Sequence, residues 1–203
     1  MSNKKWVVFT ASIFISLALG VLYTWSIIKS AIEASVNLGG PNAFQWDFAS
    51  INDPYSVAIL AFAFVMIVSG KVFDRFGPRF TSLIGGVLIV TGLLLSASST
   101  NYINWILGFG ILVGGGIGFG YAVITPATIK WFPPEKTGLI TGFVVGGFGL
   151  SSVFIAPLFS YLIKSHDISF ALFTYALIFA VIVGIGSFLL FNPPDSGIHK
   201  SAF

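Results

Sequence analysis

The chain has 203 residues, of which 56% are hydrophobic and 8% are charged, and its formal net charge is +3. A soluble domain has roughly a quarter of its residues charged. So few charges cannot give a polar surface, which excludes an ordinary soluble domain and predicts an integral membrane protein. The chain has no cysteine, which excludes disulfides, thiolate metal sites and a cysteine nucleophile.

Six apolar stretches are long enough to cross a bilayer, which takes a helix of about 20 residues. In chain order they cover residues 6–28, 54–73, 80–99, 103–129, 138–163 and 170–191. They do not alternate between apolar and polar residues as barrel strands do. The predicted fold is all-α: a polytopic domain of six transmembrane helices over residues 1–191. A cytoplasmic tail or linker, residues 192–203, follows it.

The basic residues lie mainly on one side of these predicted spans. With the amino terminus inside, the outer segments contain two of them, Lys29 and Lys164, and the inner segments contain the rest. This bias is the positive-inside pattern of membrane proteins. It predicts a cell membrane (inner or plasma) with both termini cytoplasmic, and it accounts for the basic charge without a nucleic-acid partner.

The most specific motif is the sequence GKVFDRFGPR at residues 70–79, between the second and third spans. Its fixed positions are Gly70, Asp74, Arg75, Gly77 and Arg79. Gly70 permits close helix approach and Gly77 a tight turn, while Asp74 can pair with one of the arginines. The pattern resembles the signature loop of the major facilitator superfamily, where it is a conformational latch that contacts the other half of a transporter. The alternative is a basic loop that serves only topology.

A second stretch is similar to one branch of that superfamily, the oxalate/formate antiporters and related monocarboxylate carriers. It comprises GFGY at 118–121, WFPPEKTGL at 131–139 and GGFGL at 146–150. The branch typically has W-F-P-D-x-R-G-L in the loop, and here Thr137 stands where arginine is usual. The sequence GVLYTW at 20–25 also resembles this branch.

This resemblance implies that Tyr23, Trp25 and Tyr121 line a substrate cavity. The alternative for Tyr23 and Trp25 is an aromatic belt at the membrane surface. The resemblance covers nearly the whole chain but only the first half of the family's length. It implies half of a fold with a 3+3 inverted repeat.

The implied function is alternating-access transport of a small organic anion, a mono- or dicarboxylate. The implied partners are the lipid bilayer, the substrate and a second six-helix half, on a separate chain or in a homodimer. No cofactor is implied. The alternative is a truncated, inactive or regulatory membrane subunit.

Glycine recurs every four residues in two of the spans. The two rows are Gly110, Gly114 and Gly118, and then Gly138, Gly142 and Gly146. Small residues at this spacing allow helices to approach closely in lipid, so both rows are predicted to pack against neighbouring helices.

An enzyme is not predicted, and no catalytic or metal site is assigned. A membrane serine protease needs a histidine beside its nucleophile, whereas His166 and His199 both lie outside the spans. A water channel would show two Asn-Pro-Ala boxes, which are absent from the sequence.

Overall fold

The computed structural model of the protein describes residues 2–193, with side chains from residue 3 onward. Within these residues the secondary structure is entirely helical. Residues 194–203, most of the predicted tail, lie outside the described part of the chain.

Five helices, named here α1 to α5, account for nearly all of the described residues. Helix α1 has three parts, Ser2–Leu19, the 3-10 turn Gly20–Thr24 and Trp25–Leu38. It is followed by α2 (Asp53–Ala97), α3 (Tyr102–Ile129), α4 (Thr137–Ser165) and α5 (Ile168–Leu189). Short 3-10 turns, Phe48–Ser50 and Pro134–Lys136, precede α2 and α4. Helix α3 includes a π-helical stretch, Ile106–Val113, which the sequence did not predict.

The structure has five helical stretches long and apolar enough to cross a membrane, where the sequence predicted six. The difference lies in α2, whose 45 residues contain both the second and the third predicted spans. Within it Gly77 is not helical, with φ 80° and ψ 176°. A straight helix of 45 residues would measure about 68 Å, more than twice the roughly 30 Å hydrocarbon core. Gly77 divides α2 into two parts, each of about one membrane thickness.

Helix α1 packs against α3, α4 and α5. Three hydrogen bonds tie it to α3, α4 and α5: from Thr128 to the Ser12 hydroxyl (2.6 Å), from Ser16 to the Val144 carbonyl (2.5 Å) and from Tyr175 to the Ala18 carbonyl (2.5 Å). All three hydroxyls are buried. Polar groups in lipid must find partners within the protein, so these bonds specify which helices surround α1.

Helix α3 packs between the two parts of α2. On one face, a Cβ atom at Gly118 would lie 2.8 Å from the Phe62 carbonyl oxygen, one at Gly110 would lie 2.8 Å from Val57, and one at Gly114 would be still more crowded, against the Ala58 backbone. These neighbours precede Gly77 in the chain.

The opposite face of α3 meets the part of α2 that follows Gly77. A Cβ atom at Gly116 would lie 2.7 Å from the Gly85 carbonyl oxygen, and one at Gly108 would lie 2.7 Å from that of Gly92. Because glycine stands on both sides of each contact, the helix axes can approach closely.

Arg79 of α2 and Trp131, in the turn between α3 and α4, hold the end of α5. The Arg79 Nε donates a hydrogen bond to the Leu190 carbonyl (3.0 Å), and the Trp131 indole N–H donates one to the Phe191 carbonyl (2.9 Å). The Arg79 guanidinium also lies 5.6 Å from the centre of the Phe191 ring. These donors satisfy carbonyl groups at the end of the helix, which lack partners within it.

At the opposite end of the helices, a buried aromatic cluster secures the loop of residues 39–52. Its members are Trp25, Phe44, Trp46, Trp105 and Phe109. The indole N–H groups of its three tryptophans donate hydrogen bonds to Asn52 Oδ1 (2.9 Å), the Thr100 carbonyl (2.8 Å) and the Ser99 carbonyl (2.9 Å), respectively.

Candidate functional site

Four aromatic rings from four helices form a continuous series, which we call the aromatic row: Phe62, Tyr121, Phe148 and Tyr23. The ring centres of Phe62 and Tyr121 are 5.8 Å apart, and the Phe148 ring lies 5.1 Å from Tyr121 on one side and 5.1 Å from Tyr23 on the other. All three contacts are edge-to-face, a favourable geometry for aromatic pairs. The row joins α2, α3, α4 and α1.

Glycine brings Tyr23 and Phe148 together. A Cβ atom at Gly20 would overlap the Ser151 side chain and lie 3.0 Å from the Phe148 carbonyl oxygen. The missing side chain thus lets α4 contact the 3-10 turn of α1 that carries Tyr23. Tyr121 follows Gly120, where a Cβ atom would lie 2.9 Å from Leu19 of α1.

The two tyrosine hydroxyls of the aromatic row are available to a ligand. Tyr23 is 48% exposed and Tyr121 is partly exposed. The hydroxyls of Tyr102 and Tyr175 hydrogen-bond to Asp53 and to the Ala18 carbonyl, whereas those of Tyr23 and Tyr121 form no such bond within residues 2–193. Two free donors beside an apolar ring can orient a small polar molecule.

The structure places Trp25 apart from Tyr23 and Tyr121. It is 4% exposed, donates to Asn52 and stacks on Tyr55 at 6.0 Å. Tyr23 lies in the 3-10 turn, where two residues correspond to a rotation of about 240°, so Trp25 and Tyr23 face different sides of α1. Trp25 therefore belongs to the buried aromatic cluster, neither beside the other two candidates nor on a surface belt.

The other two members of the aromatic row, Phe148 and Phe62, were not among the residues proposed from sequence. Phe148 stands between glycines in the GGFGL stretch. A single aromatic residue among glycines of a membrane helix is a pattern that could have identified it as a candidate site residue. Phe62 lies in a continuous apolar run and has no local signal.

The signature loop differs from the predicted arrangement in its charges. Asp74 and Arg75 are both exposed, and in the described part of the chain the sole ion pair is Lys29 with Glu33, at 3.7 Å. Asp74 therefore pairs with neither Arg75 nor Arg79, because the Arg79 side chain reaches the end of α5 instead. Gly77 does adopt a positive φ, which explains why glycine stands there.

The two glycine rows differ from each other. The row in α3 lies against α2, whereas Cβ atoms at Gly138, Gly142 and Gly146 of α4 would have nothing within 4 Å. The same holds for Gly70, which was predicted to mark a close helix contact. The predicted packing of the α4 row is therefore not found among residues 2–193.

Among the residues that the structure describes, no group of three or more His, Asp or Glu side chains could hold a metal ion. The site thus offers aromatic surface and hydroxyl groups.

Five membrane-length apolar helices, packed through glycine and buried hydroxyl contacts, define a multi-pass membrane protein. The family model described as Major Facilitator Superfamily matches residues 5–202. The chain therefore belongs to this superfamily of membrane transporters, as its signature loop predicted.

Curated relatives include transporters from bacteria and mammals. The uncharacterized MFS-type transporter YhjX of Escherichia coli is 27% identical over 199 residues, covering 98% of this chain and 47% of the relative. The oxalate:formate antiporter of Oxalobacter formigenes is 22% identical over 200 residues, covering 98% and 46%. Monocarboxylate transporter 13 of Bos taurus is 27% identical over 185 residues, covering 91% and 41%. The chain thus spans about half the length of these relatives.

Proposed function

We propose that this chain forms the amino-terminal, six-helix half of a transporter that moves a small organic anion, a mono- or dicarboxylate, by alternating access. The observation that carries the proposal is the aromatic row, with two tyrosine hydroxyls free to bind a carboxylate. The substrate class is also supported by the similarity to proteins named as an oxalate:formate antiporter and a monocarboxylate transporter.

The proposed topology has six membrane crossings in a 3+3 inverted repeat, with α2 crossing twice on either side of Gly77. Its length and the positive φ of Gly77 support this arrangement. The concentration of Lys and Arg at one end of the helices supports cytoplasmic termini in an inner or plasma membrane.

In the proposed site, Tyr23 and Tyr121 donate hydrogen bonds to the substrate carboxylate, and Phe148 between them forms an apolar wall. Trp25 acts from the buried cluster by holding α1 against the loop of residues 39–52. The row contains no cation, and burying an unpaired carboxylate is costly. We therefore assign the missing positive charge to a second six-helix half.

The second half is proposed to dock on α4 and on the first part of α2, where Gly138, Gly142, Gly146 and Gly70 have open space above them. Asp74 and Arg75 are exposed beside this face and can contact the second half as a latch. That half is a separate chain or a second copy of this one.

Removing either hydroxyl of the aromatic row should weaken substrate binding. For Tyr121→Phe and Tyr23→Phe, we expect KM for oxalate or formate uptake to rise about tenfold or more, the usual effect of losing a hydrogen bond to a charged group. Initial rates would be measured in vesicles that contain the chain together with its second half.

Tyr161→Phe is the matched control, because Tyr161 is 69% exposed on α4 and outside the row; its KM should stay unchanged. Equal KM values for all three variants would exclude the aromatic row as the site. Absence of carboxylate flux in the assembled wild type would overturn the transport proposal itself and favour a regulatory subunit.

The open face of α4 should crosslink to the second half. The chain has no cysteine, so Gly142→Cys gives a single reactive thiol, and Gly184→Cys on α5 is a control with equally open surroundings. We expect a short maleimide–benzophenone reagent, coupled to the thiol in native membranes and then irradiated, to give a discrete crosslinked species with the first variant only, because its photoreactive end inserts into C–H bonds of any adjacent chain.

The mass of that species distinguishes a homodimer from a pair of different chains. Equal crosslinking at both positions, or none at Gly142→Cys, would contradict docking on this face.

A further inference from the structure

Three surface pockets follow one another along the second part of α2 and α5, and we call the three together the seam. Its mouth is a cleft of about 960 Å³ at the helix ends, bounded by residues 38–44, 97–100 and 163–169. The seam continues between Leu94, Phe170 and Phe173, and then between Leu83, Val87 and Gly184. A partly polar cleft is thus followed by two apolar pockets on the outside of the molecule.

The length of the seam matches one lipid leaflet. From Ala97 to Leu83, α2 rises about 21 Å at 1.5 Å per residue, and half of a bilayer including its headgroup region is about 20–22 Å. The walls are apolar and accessible, with Phe173 48% and Val87 64% exposed. Such a series of pockets accommodates an extended acyl chain.

The mouth of the seam contains both signs of charge. Lys164, His166 and Asp167 line the cleft, and no ion pair joins Lys164 to Asp167 within residues 3–193, where Lys29–Glu33 is the sole pair. One oxygen of Asp167 accepts the Phe170 N–H (2.6 Å) and caps α5, which leaves the other free. The His166 ring stacks on Phe170 with centres 4.1 Å apart and links the cleft to the apolar pockets.

We propose that the seam binds a zwitterionic aminophospholipid. Its phosphate pairs with Lys164, its ammonium with Asp167, and one acyl chain lies along the apolar pockets as far as Gly184. A purely anionic headgroup would leave Asp167 facing a negative charge, whereas a zwitterion satisfies both residues. The proposal does not depend on transport, so the two can fail separately.

The test is retention of lipid by the purified wild-type chain, measured by native mass spectrometry after exposure to equal amounts of phosphatidylethanolamine and phosphatidylglycerol. We expect phosphatidylethanolamine to be retained in excess. Lys164→Gln and Asp167→Asn should each lower its retention about two- to fivefold, the range for an exposed ion pair. Asparagine keeps the helix cap, so the second variant changes the charge and little else.

Two matched controls separate the seam from general lipid binding. Lys29→Gln removes another lysine, one already paired with Glu33 and outside the cleft, and should have no effect. Gly184→Leu should fill the apolar pocket that Gly184 lines and lower retention, whereas Gly149→Leu, at an equally open glycine of α4, should not.

Phosphatidylglycerol retained equally well would overturn the proposal, as would unchanged retention in both charge variants. Glycerophosphoethanolamine, which has the headgroup without acyl chains, should not displace the lipid. Displacement by it would assign the cleft to a free headgroup compound instead.

Discussion

Gly114→Ala should destabilise the protein by about 1–3 kcal/mol, the usual cost of overpacking a filled interior. The new Cβ atom would overlap the Ala58 carbonyl oxygen and lie 2.6 Å from the Ala58 Cα. Both atoms belong to the α2 backbone, so relief requires the two helices to separate. Unfolding would be followed by circular dichroism in detergent micelles as temperature or dodecyl sulfate increases.

Gly142→Ala is the control for this experiment, because a Cβ atom there has nothing within 4 Å. Alanine is favoured over glycine in a helix by up to about 1 kcal/mol, so the unfolding midpoint should stay or rise. Equal losses in the two variants would mean that the two glycine rows are packed alike, contrary to the structure.

Gly77→Ala should also cost about 1–3 kcal/mol, for a conformational reason. At φ 80° and ψ 176°, the backbone of Gly77 lies in a region that residues with a side chain essentially do not occupy. Alanine must either strain the backbone or change the direction in which α2 continues. The free energy of unfolding would be compared with that of Gly70→Ala in the same detergent.

Gly70 is the appropriate reference because it lies seven residues earlier in the same helix, has a helical conformation and has open space around it. Its alanine variant should be as stable as the wild type or more stable. If Gly77→Ala were equally tolerated, the positive φ would not be needed for the fold.

The membrane-spanning regions were predictable from composition, since lipid requires long apolar helices wherever the chain crosses. The sequence also indicated a turn at Gly77 and Pro78. It did not show that helical structure continues directly on both sides of Gly77. The segment at residues 70–79 is too short for its composition to distinguish a loop from helix. The structure shows that it is helical on both sides of Gly77.

The glycine rows illustrate what periodicity alone cannot decide. Gly114 and Gly142 occupy equivalent positions in two similar rows, yet one lies against the backbone of α2 and the other faces open space. The difference depends on which helix is adjacent, and that is set by contacts between residues far apart in the chain, such as Ser16 with Val144.

Contacts between distant residues also explain why only part of the aromatic row could be predicted from the sequence. Tyr23 and Tyr121 lie near one another because both contact Phe148, while Trp25 is buried through its bond to Asn52. The motif identified the aromatic residues, but the side of the helix that each one faces depends on the 3-10 turn at Gly20–Thr24. Local sequence gave no sign of that turn.

The hydrogen bonds of Arg79 and Trp131 to the end of α5 fix the position of the backbone at Phe191. A polypeptide tethered there by a short flexible linker would be held near this half at an effective concentration on the order of millimolar. It would then need little intrinsic affinity to stay bound, so a tethered half could dissociate and rebind quickly. A half on a separate chain would need a far stronger interface to reach the same occupancy.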